Sequence, residues 1–247
     1  MTDIIPIQYR FTFADASKEV LNLQMDGRTL DLIGNVPPSL PCWTALAFNR
    51  CPHCPLSPAQ HAACPLAANL AGVIGRFDRF LSYEEVHLEV VTHERVISHG
   101  TTVQRGIGSL MGLVIAASGC PHTAFFKPMA RFHLPLASEE ETIYRAATMY
   151  LLAQHYRREE GAPADFTFDG LIEIYRNVQT VNAYVAKRFR AASDSDSGVN
   201  GIIYLDLYAK SMPYAVEKSL SELRYLFASF LSSKTGAGDD PEQGPEI

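Results

Sequence analysis

Proline follows four of the five cysteines, giving Cys-Pro pairs at Cys51, Cys54, Cys64 and Cys120. The flanking residues repeat as well: Cys-Pro-His opens at 51 and 120, and Cys-Pro-Leu at 54 and 64. Cysteines separated by two residues form a turn that can aim both sulfurs at one point. Tetrahedral zinc sites combine such turns with sulfurs from elsewhere in the chain. Cys51 and Cys54 have that spacing, Cys64 follows in the next loop, and Cys120 arrives from far along the sequence. Any fold that brings the four together must return residue 120 to the neighbourhood of residue 51.

The pattern predicts one four-thiolate metal site. Zinc is the first choice on spacing and ligand type, and an iron–sulfur cluster the second. A proline after every ligand removes backbone N–H donors that cluster sulfurs use, which favours zinc. The plainer alternative is buried thiols without metal in a reducing cytosol. A disulfide framework fits poorly with a 247-residue chain whose opening Met1-Thr2-Asp3 shows no secretory leader. Cys42, before Trp43 and without a proline, is read as a small apolar residue. His53 and His122 each follow a Cys-Pro, so either can replace a sulfur or hydrogen-bond to one. Pro65 and Pro121 suit the first position of a helix, placing Cys64 and Cys120 at N-caps where the helix dipole favours a thiolate.

Around this site the chain is expected to be α+β, an N-terminal antiparallel sheet packed on a C-terminal helical bundle and joined to it by the metal. Residues 1–232 are read as one domain, sheet-rich over 1–100 and helical over 101–232. Ile7, Tyr9, Phe11 and Phe13 alternate with polar residues, predicting a half-buried strand. Val20–Gln24 follows it, and Asp26-Gly27 is a hairpin signal. Thr29–Ile33 and Trp43–Phe48 are expected as the third and fourth strands. Val86, Leu88 and Val90 predict another, paired with Arg95–His99.

Helices are expected over Leu66–Leu81, from Thr101 or Thr102 to Ser118, over His122–Phe132 with a kink at Pro128, over Ser138–Glu160, and over Asp169–Ala192. Ser138 with Glu141 is a capping box. Gly106, Gly108 and Gly112 do not match a dinucleotide or P-loop fingerprint, and close helix packing is the better reading. Ser193–Gly198 reads as a linker, Gly201–Ser211 and Tyr214–Leu231 as a helical pair with Asp206 and Lys210 one turn apart, and 233–247 as a disordered acidic tail.

Net charge of −6 argues against general nucleic-acid binding, and no apolar run reaches the roughly 20 residues a membrane span needs. A cytoplasmic location follows as the expectation.

The motifs CPHCPL, SGCPH, KPMARFHLP and EEETIYRAATMYLLAQ resemble those of an uncharacterised bacterial family classed as a domain of unknown function. The resemblance covers nearly the whole chain. It implies a bacterial origin and a cysteine set like the one above, and no activity.

Three functional readings result. The leading one is a binding or regulatory module with a structural zinc at Cys51, Cys54, Cys64 and Cys120, its partner an unidentified protein or small molecule. The second is an enzyme in which His122, Arg131 and His133 converge with Gln104 and Arg105 to bind an anion or shuttle a proton. Its plainer counterpart has Arg131 paired with Glu140 or Glu141. The third is an iron–sulfur redox protein.

Overall fold

In a computed structural model, residues 3–77, 80–192, 202–203, 206, 209–210 and 221–233 are described. The period-two patterning near the N-terminus becomes β1 (Ile4–Phe13), with Ile7, Tyr9, Phe11 and Phe13 buried on one face. It pairs antiparallel with β2 (Lys18–Asp26), setting Tyr9 opposite Leu21 and Ile7 opposite Leu23. On its other edge β1 pairs with β3 (Glu85–Val91), which pairs in turn with β4 (Val96–Thr102). The four-stranded order is β2-β1-β3-β4, so the first strand of the sequence lies inside the sheet. Leu21, Leu23, Met25, Val86, Leu88 and Val90 extend the buried face.

Two of the expected strands do not form. Asp26 ends β2 by accepting the backbone N–H groups of Arg28 and Thr29 on Oδ1, and Leu30 takes a left-handed φ of 59°. That turn reduces Thr29–Ile33 to a single bridge between Met25 and Leu32. Trp43–Phe48 is a 3-10 turn over Cys42–Thr44 followed by one bridge, Ala45 to Ala63, and further turns, with the carbonyls of Trp43, Ala45 and Leu46 taken by the Arg188 side chain.

Helix α1 (Pro65–Phe77) starts at its proline as expected, with Cys64 immediately before it. Helix α2 (Val103–Ala116) follows β4 directly, and its first amides donate to the carbonyls of Glu84 and Ser82. Thr102 is therefore its N-cap by position without a side-chain cap bond, and the helix start is not open to a phosphate. A Cβ at Gly106 would stand 2.7 Å from Cε1 of Phe11, so this glycine serves close packing of α2 on β1.

The helix expected over 122–132 is a 3-10 turn, Ala124–Phe126, and a five-residue α3 (Lys127–Arg131). Pro128 stands at the start of α3 rather than at a kink, and Cys120 does not cap a helix. Ser138 and Glu141 form the capping box of α4 (Glu139–Glu159). Helix α5 (Asp169–Ala192) follows, and α6 (Ala228–Ser233) lies beyond a 3-10 turn at Leu223–Phe227. Asp206 and Lys210 pair at 2.6 Å. The linker at 193–198, parts of the expected helical pair and residues 234–247 lie outside the described residues.

A single apolar cluster joins the sheet face to α1, α2 and the second half of α5, from Ile7 to Phe189. Cys51, Cys64 and Cys120 pack against its edge. A second cluster joins α4 to the first half of α5 through Ile143, Tyr150, Leu171 and Tyr175.

Candidate functional site

The loop before α1 is built to return on itself. Leu46 N–H donates to Ala62 O and Cys64 N–H to Thr44 O, so the chain leaves near residue 44 and comes back there. Between these points Cys54 N–H donates to Cys51 O at 3.1 Å, closing the two-residue turn. Arg50 braces it with Nη2 on the carbonyls of Cys54 and Leu56, at 2.8 and 2.7 Å.

The two Cys-Pro-His segments meet face to face. The rings of His53 and His122 stack with centroids 3.9 Å apart and planes 25° off parallel. His122 Nε2–H donates to the carbonyl of His53 at 2.9 Å, and His53 Nε2–H to that of Asn177 at 3.3 Å. Burial, then the neighbouring His122, hold the His53 pKa below its ordinary value. Residue 120 is thereby carried back beside residues 51–54.

The thiols sense one another. Burial pushes the Cys51 thiol up to about 12, with further rises from Cys64, Cys120 and Cys54 and an opposing pull from Arg188. Cys120 is pushed up to about 11, by burial first and in part by Cys64 and Cys54. Charge acts over a longer range than a zinc–sulfur bond of about 2.3 Å. Among the described residues no three His, Cys, Asp or Glu side chains are arranged as a metal-ligand set. The four thiols are neighbours, then, and do not form the closed four-cysteine shell expected from the spacing. Cys42 is exposed and apart from these interactions.

Arg188 of α5 reaches into the same loop. Its guanidinium, 2% exposed, donates to the carbonyls of Trp43, Ala45 and Leu46 at 2.6, 2.8 and 3.3 Å. Among the described residues no carboxylate pairs with it.

The residues expected to converge as an enzyme site have separate partners. His122 belongs to the stacked pair above. Arg131 bonds Glu94 at 3.3 Å, not Glu140 or Glu141, and lies over the ring of Phe132. His133 bonds through Nε2 to the hydroxyl of Tyr9, which also contacts Ser109 Oγ at 3.2 Å. Burial, aided by the charge of Arg145, pushes the His133 pKa down to about 3, so its ring is neutral at pH 7. Gln104 sits in the first turn of α2.

His133 and Arg105 do line a cavity of about 210 Å³ between α2, α3, α4 and α5; Arg131, Gln104 and His122 do not. Most of its wall is apolar. Arg145, Tyr175 and Asn182 are polar groups of the wall that the sequence reading missed, as are the hydroxyls of Ser109, Thr123 and Thr142. Asn182 was open to discovery, as the one polar residue on the α5 stripe of Leu171, Tyr175, Val178, Val185 and Phe189.

A family described as a domain of unknown function, DUF6901, matches residues 7–228. The chain belongs to that family. The DUF6901 match takes in every Cys-Pro pair, the cavity and Arg188, placing both candidate regions within the shared domain. No curated protein and no solved structure matches the chain. No helix among the described residues is long and apolar enough to cross a membrane.

Proposed function

We propose that this chain is a binding or regulatory module whose sheet and helices are stapled by one structural zinc ion on Cys51, Cys54, Cys64 and Cys120. The observation that carries the reading is Arg188, a buried guanidinium beside Cys51 with no carboxylate paired to it among the described residues. A buried cation without a counter-charge is costly, and deprotonated cysteines around a divalent metal supply the missing negative charge. His53 and His122 use Nε2 in hydrogen bonds to carbonyls, and Nδ1 of His53, buried without a partner among the described residues, is free to accept a hydrogen bond or to stand in for a sulfur. Rotation of the cysteine side chains between staggered positions re-aims each sulfur, and metal binding drives closure of the shell. The thiols need a reducing compartment such as the bacterial cytosol.

Metal analysis of protein purified without added metal tests this. One zinc per chain is expected, falling by at least half in Cys54→Ser and in Cys120→Ser. Metal-free wild-type protein with an unchanged melting temperature after chelation refutes the staple. Absorbance near roughly 400 nm in anaerobically purified protein would instead assign an iron–sulfur cluster.

A further inference from the structure

The α5 face that closes the 210 Å³ cavity contains two polar groups with no hydrogen bond among the described residues: the hydroxyl of Tyr175, in a residue 5% exposed, and the carboxamide of Asn182, in a residue 2% exposed. They stand seven residues apart, two helical turns, and so project from one face. Their polar atoms open onto the cavity rather than into sealed protein, so a polar group of a ligand can reach both. Two on one wall of a cavity point to a partner that enters from outside.

The rest of the wall describes that partner. Gly108, Leu113, Phe126 and Val178 present apolar surface, and no aspartate or glutamate lines the space. Arg145 stands beside Tyr175 and uses one nitrogen, Nη2, on the carbonyls of Met129 and Phe132. The remaining edge of its planar fork suits a carboxylate. A cavity of about 150 Å³ lined by apolar side chains takes up benzene, so 210 Å³ accommodates a six-membered ring with one small substituent.

We propose that this cavity binds a small aromatic or compact aliphatic monocarboxylic acid, its carboxylate held by Arg145, Tyr175 and Asn182 and its apolar body against α2. The site is independent of the cysteine centre and stands whether or not zinc is present. Benzoate is the probe, with benzyl alcohol as its uncharged counterpart, in calorimetric titrations and amide NMR shift mapping of the full chain. Saturable one-to-one binding of benzoate is expected, about tenfold or more tighter than benzyl alcohol. Tyr175→Phe and Asn182→Leu keep the shape and remove the orphan groups; each should weaken benzoate about tenfold. Their melting temperatures should equal or exceed that of the parent, which separates a lost ligand contact from a damaged fold. No saturable benzoate binding up to about 10 mM, benzyl alcohol bound as tightly, or benzoate affinity unchanged in both variants would each overturn the assignment.

Discussion

Replacing Arg188 with methionine keeps the unbranched stem of the side chain and deletes its donors. Three buried main-chain carbonyls lose a partner, with bonds of 2.6, 2.8 and 3.3 Å. Each acceptor left unpaired costs about 1–3 kcal/mol, the longest bond least. Against this, the variant no longer buries a charge, and that relief offsets several kcal/mol. Methionine fills most of the vacated volume, so the packing loss is small. The balance is a destabilisation of about 3 kcal/mol, a fall of about 6–12 °C in melting temperature for a domain of this size. Arg188→Lys, which keeps the charge and loses the planar fork, should cost about half as much. Urea unfolding followed by circular dichroism reads both, and the midpoint should move without a change in slope. A methionine variant within about 0.5 kcal/mol of the parent would refute the idea that this guanidinium holds the loop before the cysteine turn.

Gly106→Ala should destabilise by about 1 kcal/mol in thermal melts, because the new methyl meets the buried ring of Phe11, itself held edge-on to Phe77 at 4.9 Å. The overpacking cost of about 1–3 kcal/mol exceeds the helix-propensity gain of about 1; a stabilised variant would show that the ring moves freely. Stability should also decline as pH falls from 6.5 toward about 3, since the unfolded chain protonates His133 near 6.5 while burial keeps the folded ring neutral down to about 3. As a residue His133 is half-buried, so the loss by pH 5 is held to about 1–2 kcal/mol. His133→Gln should flatten that part of the profile, and an unchanged slope would remove His133 as its source.

Periodic segments were legible in the sequence, and segments fixed by distant partners were not. The alternation of Ile7 to Phe13, the glycine-free stripe of α5 and the Ser138–Glu141 capping box each encode structure within a few residues. Trp43–Phe48 is a short apolar run of strand length, yet three of its carbonyls are captured by an arginine 142 to 145 residues away, which no local pattern announces. Thr29–Ile33 failed for a local reason, the side chain of Asp26 taking the turn's amides before a strand could form. The approach of Cys120 to Cys51 and Cys54 was anticipated from the doubled Cys-Pro-His motif, whereas the stacking of the two histidines was not. The cavity was half legible: His133 and Arg105 carried chemistry a reader looks for, while Tyr175 was absorbed into an apolar stripe.

The reach of Arg188 also sets an order of events during synthesis. The carbonyls it holds leave the ribosome 142 to 145 residues before it does, roughly 7–30 s at ordinary elongation rates. Until His122 emerges to bond the carbonyl of His53, the turn of Cys51 and Cys54 is tethered only by its own short-range bonds. Ions in the surrounding fluid have access to those sulfurs long before the last long helix arrives to shut the loop.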